Sequence, residues 1–222
     1  MTKIVIIGTG ALAADITEWF ENTSSEYYTD LTIKGYLDYE YNIEKYWKRY
    51  NLDKPVLGDI DNYRVSEDEY FVIGIADIKF RKFVINKLEE KGGSFINLIH
   101  PTAMVSKNCK IGIGNIIGPF SNIGRNSQIG DFNVVLAYSM ISHDCIIGNN
   151  NGFASALLCG HVKAGDDNYF SARSTVIPHK TLGNRLIIQA GMVVHDDVSD
   201  DTVVFYRFKE RILAIPKEQK LD

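Results

Sequence analysis

Residues 140–148 read MISHDCIIG and set His143 directly beside Asp144. A neutral imidazole is well matched near pH 7 to take a proton from an amine or hydroxyl as it attacks an acyl group. A carboxylate on the distal ring nitrogen fixes the tautomer and stabilises the imidazolium that forms. Adjacent residues of an extended strand point to opposite faces, so the pair can meet only across a turn at 143–144. The other histidines have plainer readings. His100 precedes Pro101 and reads as a hinge between two parts of the chain, while His179 and His195 read as exposed turn residues, either of which could meet a ligand phosphate.

The element that must position His143 repeats every six residues. Counting from Ile111 gives Ile117, Ile123, Ile129, Val135, Ile141, Ile147, Phe153 and Cys159, and after a shorter step Ala164, Phe170, Val176, Leu182, Ile188 and Val194. Glycine often follows, as at Gly112, Gly118, Gly124, Gly130, Gly148, Gly160, Gly165 and Gly183. One inward apolar residue in six is the pattern of a parallel β-helix of hexapeptides; an α-helix or a sandwich would need periods of 3.6 or 2.

The first hundred residues have a different texture. KIVII runs into Gly8-Thr9-Gly10 and then a segment with Leu12, Ile16, Trp19 and Phe20 at helical spacing, which reads as strand, glycine turn and helix. IKGYLD is expected to be a strand ending at Asp38, FVIGIAD a third ending at Asp77, RKFVINKLEEKG a helix and SFINLIH a final strand. That is half of a doubly wound α/β unit. Its glycine turn could bind a phosphate through backbone N–H groups at the helix end, or could serve only close packing. Ala13 replaces the third glycine of a dinucleotide fingerprint and Asp38 comes late for one, so a nicotinamide site is disfavoured against another nucleotide-linked ligand.

Composition narrows the partners. The chain has 222 residues, 45% apolar and 23% charged, with a formal charge of −4, and so lacks the basic excess that nucleic acid or an anionic membrane would attract. Cys109, Cys145 and Cys159 show no CxxC spacing, which disfavours a disulfide framework or a zinc site and suits a reduced compartment. No apolar run is long enough to insert in a membrane and the start does not read as a signal peptide, so a cytoplasmic location is expected.

The units LIHPTAMVSKNCKIGIGN, SHDCIIGNN, AGDDNYFSARSTVIP and LGNRLIIQAGMVV resemble the left-handed β-helix acyltransferases, and more narrowly the sugar acetyltransferases of the NeuD/PglD type. The resemblance runs from Lys3 to about Val204. It implies an α/β half-Rossmann-like domain over 1–98 that binds a nucleotide sugar, a left-handed parallel β-helix over 99–204 and a tail over 205–222. It also implies three hexapeptides per turn, a homotrimer, and acetyl-CoA in the groove between neighbouring prisms, with no metal. The activity implied is acetyl transfer to the amino group of a nucleotide-linked deoxysugar for surface polysaccharide. By the same resemblance His143 is the base, Asp144 its partner and the Gly160 N–H an oxyanion donor. Ala172 and Ala190 match small residues against which the cofactor lies, and Gly8, Gly10, Asp38 and Arg81 match the nucleotide-sugar contacts. With three hexapeptides per turn, Arg125, His143 and His161 are expected to stack in one column.

Some family positions differ. Leu12 stands where a histidine near the acceptor is usual, and Leu136, Ser142 and Gly152 replace other polar residues. These losses keep several alternatives open: O-acetylation of a sugar hydroxyl, transfer of a longer chain from an acyl carrier protein, a nucleotide-sugar-binding scaffold without turnover, and carbonic-anhydrase-type chemistry.

Overall fold

A computed structural model describes residues 2–27 and 30–206. The N-terminal unit is a four-stranded sheet in the order β3-β2-β1-β4, with β1 at Thr2–Ile7, β2 at Leu31–Leu37, β3 at Val56–Gly58 and β4 at Glu69–Ile73. All its pairings are parallel, the arrangement of half a doubly wound sheet. Helix α1 (Ala11–Tyr27) covers one face through Leu12, Ile16 and Phe20; α3 (Ile78–Glu90) covers the other through Val84, Ile85 and Leu88. Covering on both faces is why Ile4–Ile7 is continuously apolar and buried. Two short elements escape the sequence pattern, helix α2 (Glu40–Tyr46) and β3.

The expected last strand, SFINLIH, does not belong to this sheet. Only Phe95 bridges to Phe71, while Leu98–Ile99 pairs with Ile116–Ile117 and starts the second architecture. Beyond it every strand is two residues long, and the strands stack in three parallel sheets of seven, six and five. The chain visits them in rotation and returns to the same sheet after 18 residues, as between Asn115 and Asn133. The result is the three-sided left-handed β-helix, whose interior is the buried column set Ile117, Ile123, Ile129, Val135, Ile141, Ile147 and their successors.

At one place the hexapeptide count is corrected. Leu158, fully buried and paired with Ile141 and Val176, is the inward residue; Cys159 is half-buried. The five-residue step therefore falls between Phe153 and Leu158, one unit earlier than expected, and the coil that contains it is 17 residues long. Leu157-Leu158-Cys159 offers apolar candidates at both positions, and the larger leucine fills the prism where cysteine would leave space.

Asparagines, all buried but the half-buried Asn97, hold the coils in register at one edge. The Oδ1 atoms of Asn97, Asn115, Asn133, Asn151 and Asn168 each accept the backbone N–H of the next coil, ending at Leu186. The two architectures meet along the seven-stranded face, where Leu98, Ile116 and Val134 pack into the same cluster as α1. Among the described residues no helix is long and apolar enough to cross a membrane.

Candidate active site

His143 and Asp144 sit at the edge between the six-stranded and five-stranded faces, immediately after the strand Met140–Ile141. Asp144 adopts φ 57°, the left-handed conformation that aspartate tolerates better than most residues. That turn brings its Oδ2 to 2.7 Å from His143 Nδ1, so the adjacent pair does meet. Asn126, one coil below, donates to Asp144 Oδ1 at 3.1 Å. Hydrogen bonds from His143 first and then Asn126 hold the Asp144 carboxyl below the usual carboxylate range. With Nδ1 engaged, Nε2 of His143 is the nitrogen left for a substrate.

The ring of His143 lies against Gly160 one coil above. A Cβ at Gly160 would stand 2.6 Å from Cε1 and 2.7 Å from Nε2 of that ring. Gly160 keeps ordinary backbone angles, so the missing side chain is required by the ring and not by the turn. Its N–H makes no hydrogen bond among the described residues and is available to an oxyanion beside His143. Gly160→Ala is expected to leave the melting temperature within about 2 °C, because the backbone accommodates alanine. It should lower kcat at least about tenfold by displacing the ring; an unchanged kcat with a lowered melting temperature would make Gly160 a packing residue only.

The shortened coil corrects the expected column. Lys107, Arg125, His143 and Gly160 occupy equivalent places, two residues after Val105, Ile123, Ile141 and Leu158. His161 instead follows Asn126 and Asp144, shares their positive φ, and stacks on His179 with centroids 4.6 Å apart. Its ring meets that of His143 edge-on at 5.2 Å and places Nε2 3.9 Å from Asp144 Oδ2. Ligand atoms of His143, Asp144 and His161 lie within 4.8 Å of one another, close enough to converge on a cation.

Other expected site residues fall elsewhere. Ala172 and Ala190 are exposed and stack in successive coils, but on the edge between the seven-stranded and six-stranded faces, separated from His143 by the whole six-stranded face. Gly8, at φ 106°, packs against the Gly74 carbonyl and needs to be glycine; at Gly10 an added Cβ would meet nothing, so that side of the turn is open. Asp38 is buried beneath this turn. It accepts from Thr9 N and Oγ1 on one oxygen and from Tyr39 N and Asn42 on the other, so it organises the loop and has no oxygen left for a ribose.

Arg81 also departs from expectation. Its guanidinium is buried, giving hydrogen bonds to Asn150 Oδ1 at 2.6 Å and to the carbonyls of Asn150 and Asn151 at 2.9 and 3.1 Å. The remaining nitrogen reaches the Ile75 and Ala76 carbonyls. Burial pushes its pKa down to about 10, so it remains a cation, one that fastens α3 to the prism and is closed to a phosphate.

Leu12 is a core residue between sheet and prism, where a polar acceptor contact has no room. His100 bonds Thr102 through Nδ1 and packs edge-on against Trp19. The tail expected over 205–222 lies outside the described residues after Tyr206. The three cysteines are free thiols.

No protein-family model matches the chain, and no curated protein does. Solved structures do. PerB from Caulobacter crescentus, determined with CoA and GDP-perosamine, is 27% identical over 91% of this chain and 93% of its own, with a TM-score of 0.79. The acetyltransferase domain of PglB from Neisseria gonorrhoeae, 20% identical over 91% and 96% of the two chains, superposes at 0.77. WeeI from Acinetobacter baumannii AYE, also 20% identical over the same shares, does so at 0.74, and these two speak to the fold. Fold and site together define an acyltransferase of the left-handed β-helix class. The small parallel α/β unit joined to the prism is similar to the arrangement of the NeuD/PglD-type sugar acetyltransferases that the sequence resembles.

Proposed function

We propose that the protein transfers the acetyl group of acetyl-CoA to the amino group of a nucleotide-linked amino deoxysugar. The observation that carries this reading is the His143–Asp144 contact at 2.7 Å, which leaves Nε2 free beside the unengaged N–H of Gly160. The amine nitrogen attacks the thioester carbon, and its proton passes to His143 Nε2 as the N–C bond forms. Asp144 holds the tautomer and steadies the imidazolium, and the Gly160 N–H meets the oxyanion. The C–S bond then breaks, and the proton on His143 goes to the departing thiolate.

The resemblance to PerB, determined with CoA and GDP-perosamine, supports this substrate class. The glycine turn at Gly8–Gly10 is the proposed nucleotide-sugar contact, and Ala172 and Ala190 the proposed cofactor contacts. Within one chain the α/β unit covers the seven-stranded face, whereas His143 lies on the edge that does not border it. The α/β unit and the base of a single chain therefore face away from one another, which favours a homotrimer with shared sites. A cytoplasmic enzyme supplying surface polysaccharide completes the reading.

The test is thiol release from acetyl-CoA against a panel of UDP-, dTDP- and GDP-linked amino sugars. Turnover confined to one amino sugar, with a mass gain of one acetyl group on nitrogen, is the expected result. Acetyl on oxygen would reassign the acceptor, and nucleotide-sugar binding without turnover of any member would leave a scaffold.

A further inference from the structure

Beneath His143, on the same edge, the structure places two cations that no described residue engages. Arg125 is one coil below and Lys107 two, about 5 and 10 Å away at the usual strand spacing. Neither side chain forms an ion pair, hydrogen bond or ring contact among the described residues. Other surface cations such as Lys110, Lys163 and Arg173 are also unpaired, whereas Lys3, Lys34, Lys54, Lys82, Lys87 and Arg185 are paired with carboxylates; what sets Lys107 and Arg125 apart is their stacking in the His143 column. Lys107 and Arg125 line a groove of about 590 Å³ with Met104, Asn108 and Asn122, and no acidic residue contributes to it. In a chain of net charge −4, an acid-free groove with two unspent cations, one of them a single coil below the proposed base, suits an anion.

We infer that Lys107 and Arg125 bind the anionic group of the acceptor that lies one sugar ring from the reacting nitrogen, which in a nucleotide-linked sugar is the phosphate on the anomeric carbon. The spacing suits that ligand. A pyranose spans about one strand spacing, so a nitrogen at His143 sets the phosphate opposite Arg125, whose planar fork binds phosphate oxygens in pairs. Lys107 then meets the outer oxygens as a point charge. The phosphates of CoA do not fit: the extended pantetheine arm carries them several coils from the thioester. This inference rests on the proposed transferase reading for the identity of the acceptor, but not for the anion site itself.

Two experiments test it. In the Lys107→Gln/Arg125→Gln double variant, KM for the nucleotide-linked acceptor should rise about 10- to 100-fold while KM for acetyl-CoA stays within about twofold. Lys107→Arg/Arg125→Lys should recover much of the loss. A rise in KM for acetyl-CoA instead, or an unchanged acceptor KM, overturns the inference. The second experiment needs no turnover. Lys107 is labelled by an amine-acylating reagent and read by mass spectrometry, with inorganic pyrophosphate or glucuronate present. Protection by pyrophosphate alone identifies a phosphate site; protection by glucuronate alone identifies a sugar carboxylate as the anion bound. Protection by neither removes the anion site, whatever the enzyme assay reports.

Discussion

Alanine in place of His143 lowers kcat by about two to four orders of magnitude, the range expected when a positioned general base is lost. The ring is 59% exposed at its side chain and supports no buried contact, so folding and substrate binding are expected to survive. The loss should therefore fall on kcat, with KM for either substrate changed by no more than about threefold. Asp144→Asn should cost less, because it leaves the imidazole in place and weakens only the interaction that selects its tautomer. High concentrations of free imidazole should restore part of the activity of the alanine variant and none of that of Asp144→Asn. A variant lacking His143 that retains a fifth or more of wild-type kcat would remove it from the mechanism and turn attention to His161, whose ring lies 5.2 Å away.

The largest expected effect on stability is at Arg81. Replacing it with methionine preserves much of the side-chain volume but strands Asn150 Oδ1 and the Asn150 carbonyl, which no other described residue serves, while the Asn151 carbonyl keeps the Val134 N–H. Leaving two buried acceptors without a donor costs about 3 kcal/mol. For a chain of this length that is a fall in melting temperature of about 10 °C. Lysine should recover only a part, since a single ammonium lacks the planar fork that reaches the Ile75 and Ala76 carbonyls and the prism together. If Arg81 instead contacted substrate, as its place after the third long strand suggests, the methionine variant would show a raised acceptor KM at an unchanged melting temperature. Thermal unfolding and steady-state kinetics on the same preparation separate the two.

The sequence announced the two architectures and set His143 beside Asp144. Hexapeptide periodicity is a local pattern set by strand and turn geometry, so the prism could be read from Ile111 onward without knowing any contact between coils. The continuous apolar run of β1 likewise announced a parallel sheet covered on both faces. His143 and Asp144 are neighbours in the chain, and only a turn was needed to join them; the left-handed Asp144 supplies it.

What depended on tertiary structure was register and the destination of long side chains. A one-residue shortening between Phe153 and Leu158 shifts every later residue relative to the coils below, and the apolar run Leu157-Leu158-Cys159 concealed where it fell. That shift placed Gly160 over the His143 ring and moved His161 into the Asp144 column. Asp38 and Arg81 stand where sequence order suggested ligand contacts, yet their polar atoms are satisfied by Thr9, Asn42, Asn150 and Asn151. Partners such as Arg81 and Asn150 are 69 residues apart in the chain, so no local pattern could announce them. The unspent cations Lys107 and Arg125 became visible for the same reason. A side chain's lack of partners can be read only after every neighbour has been folded around it.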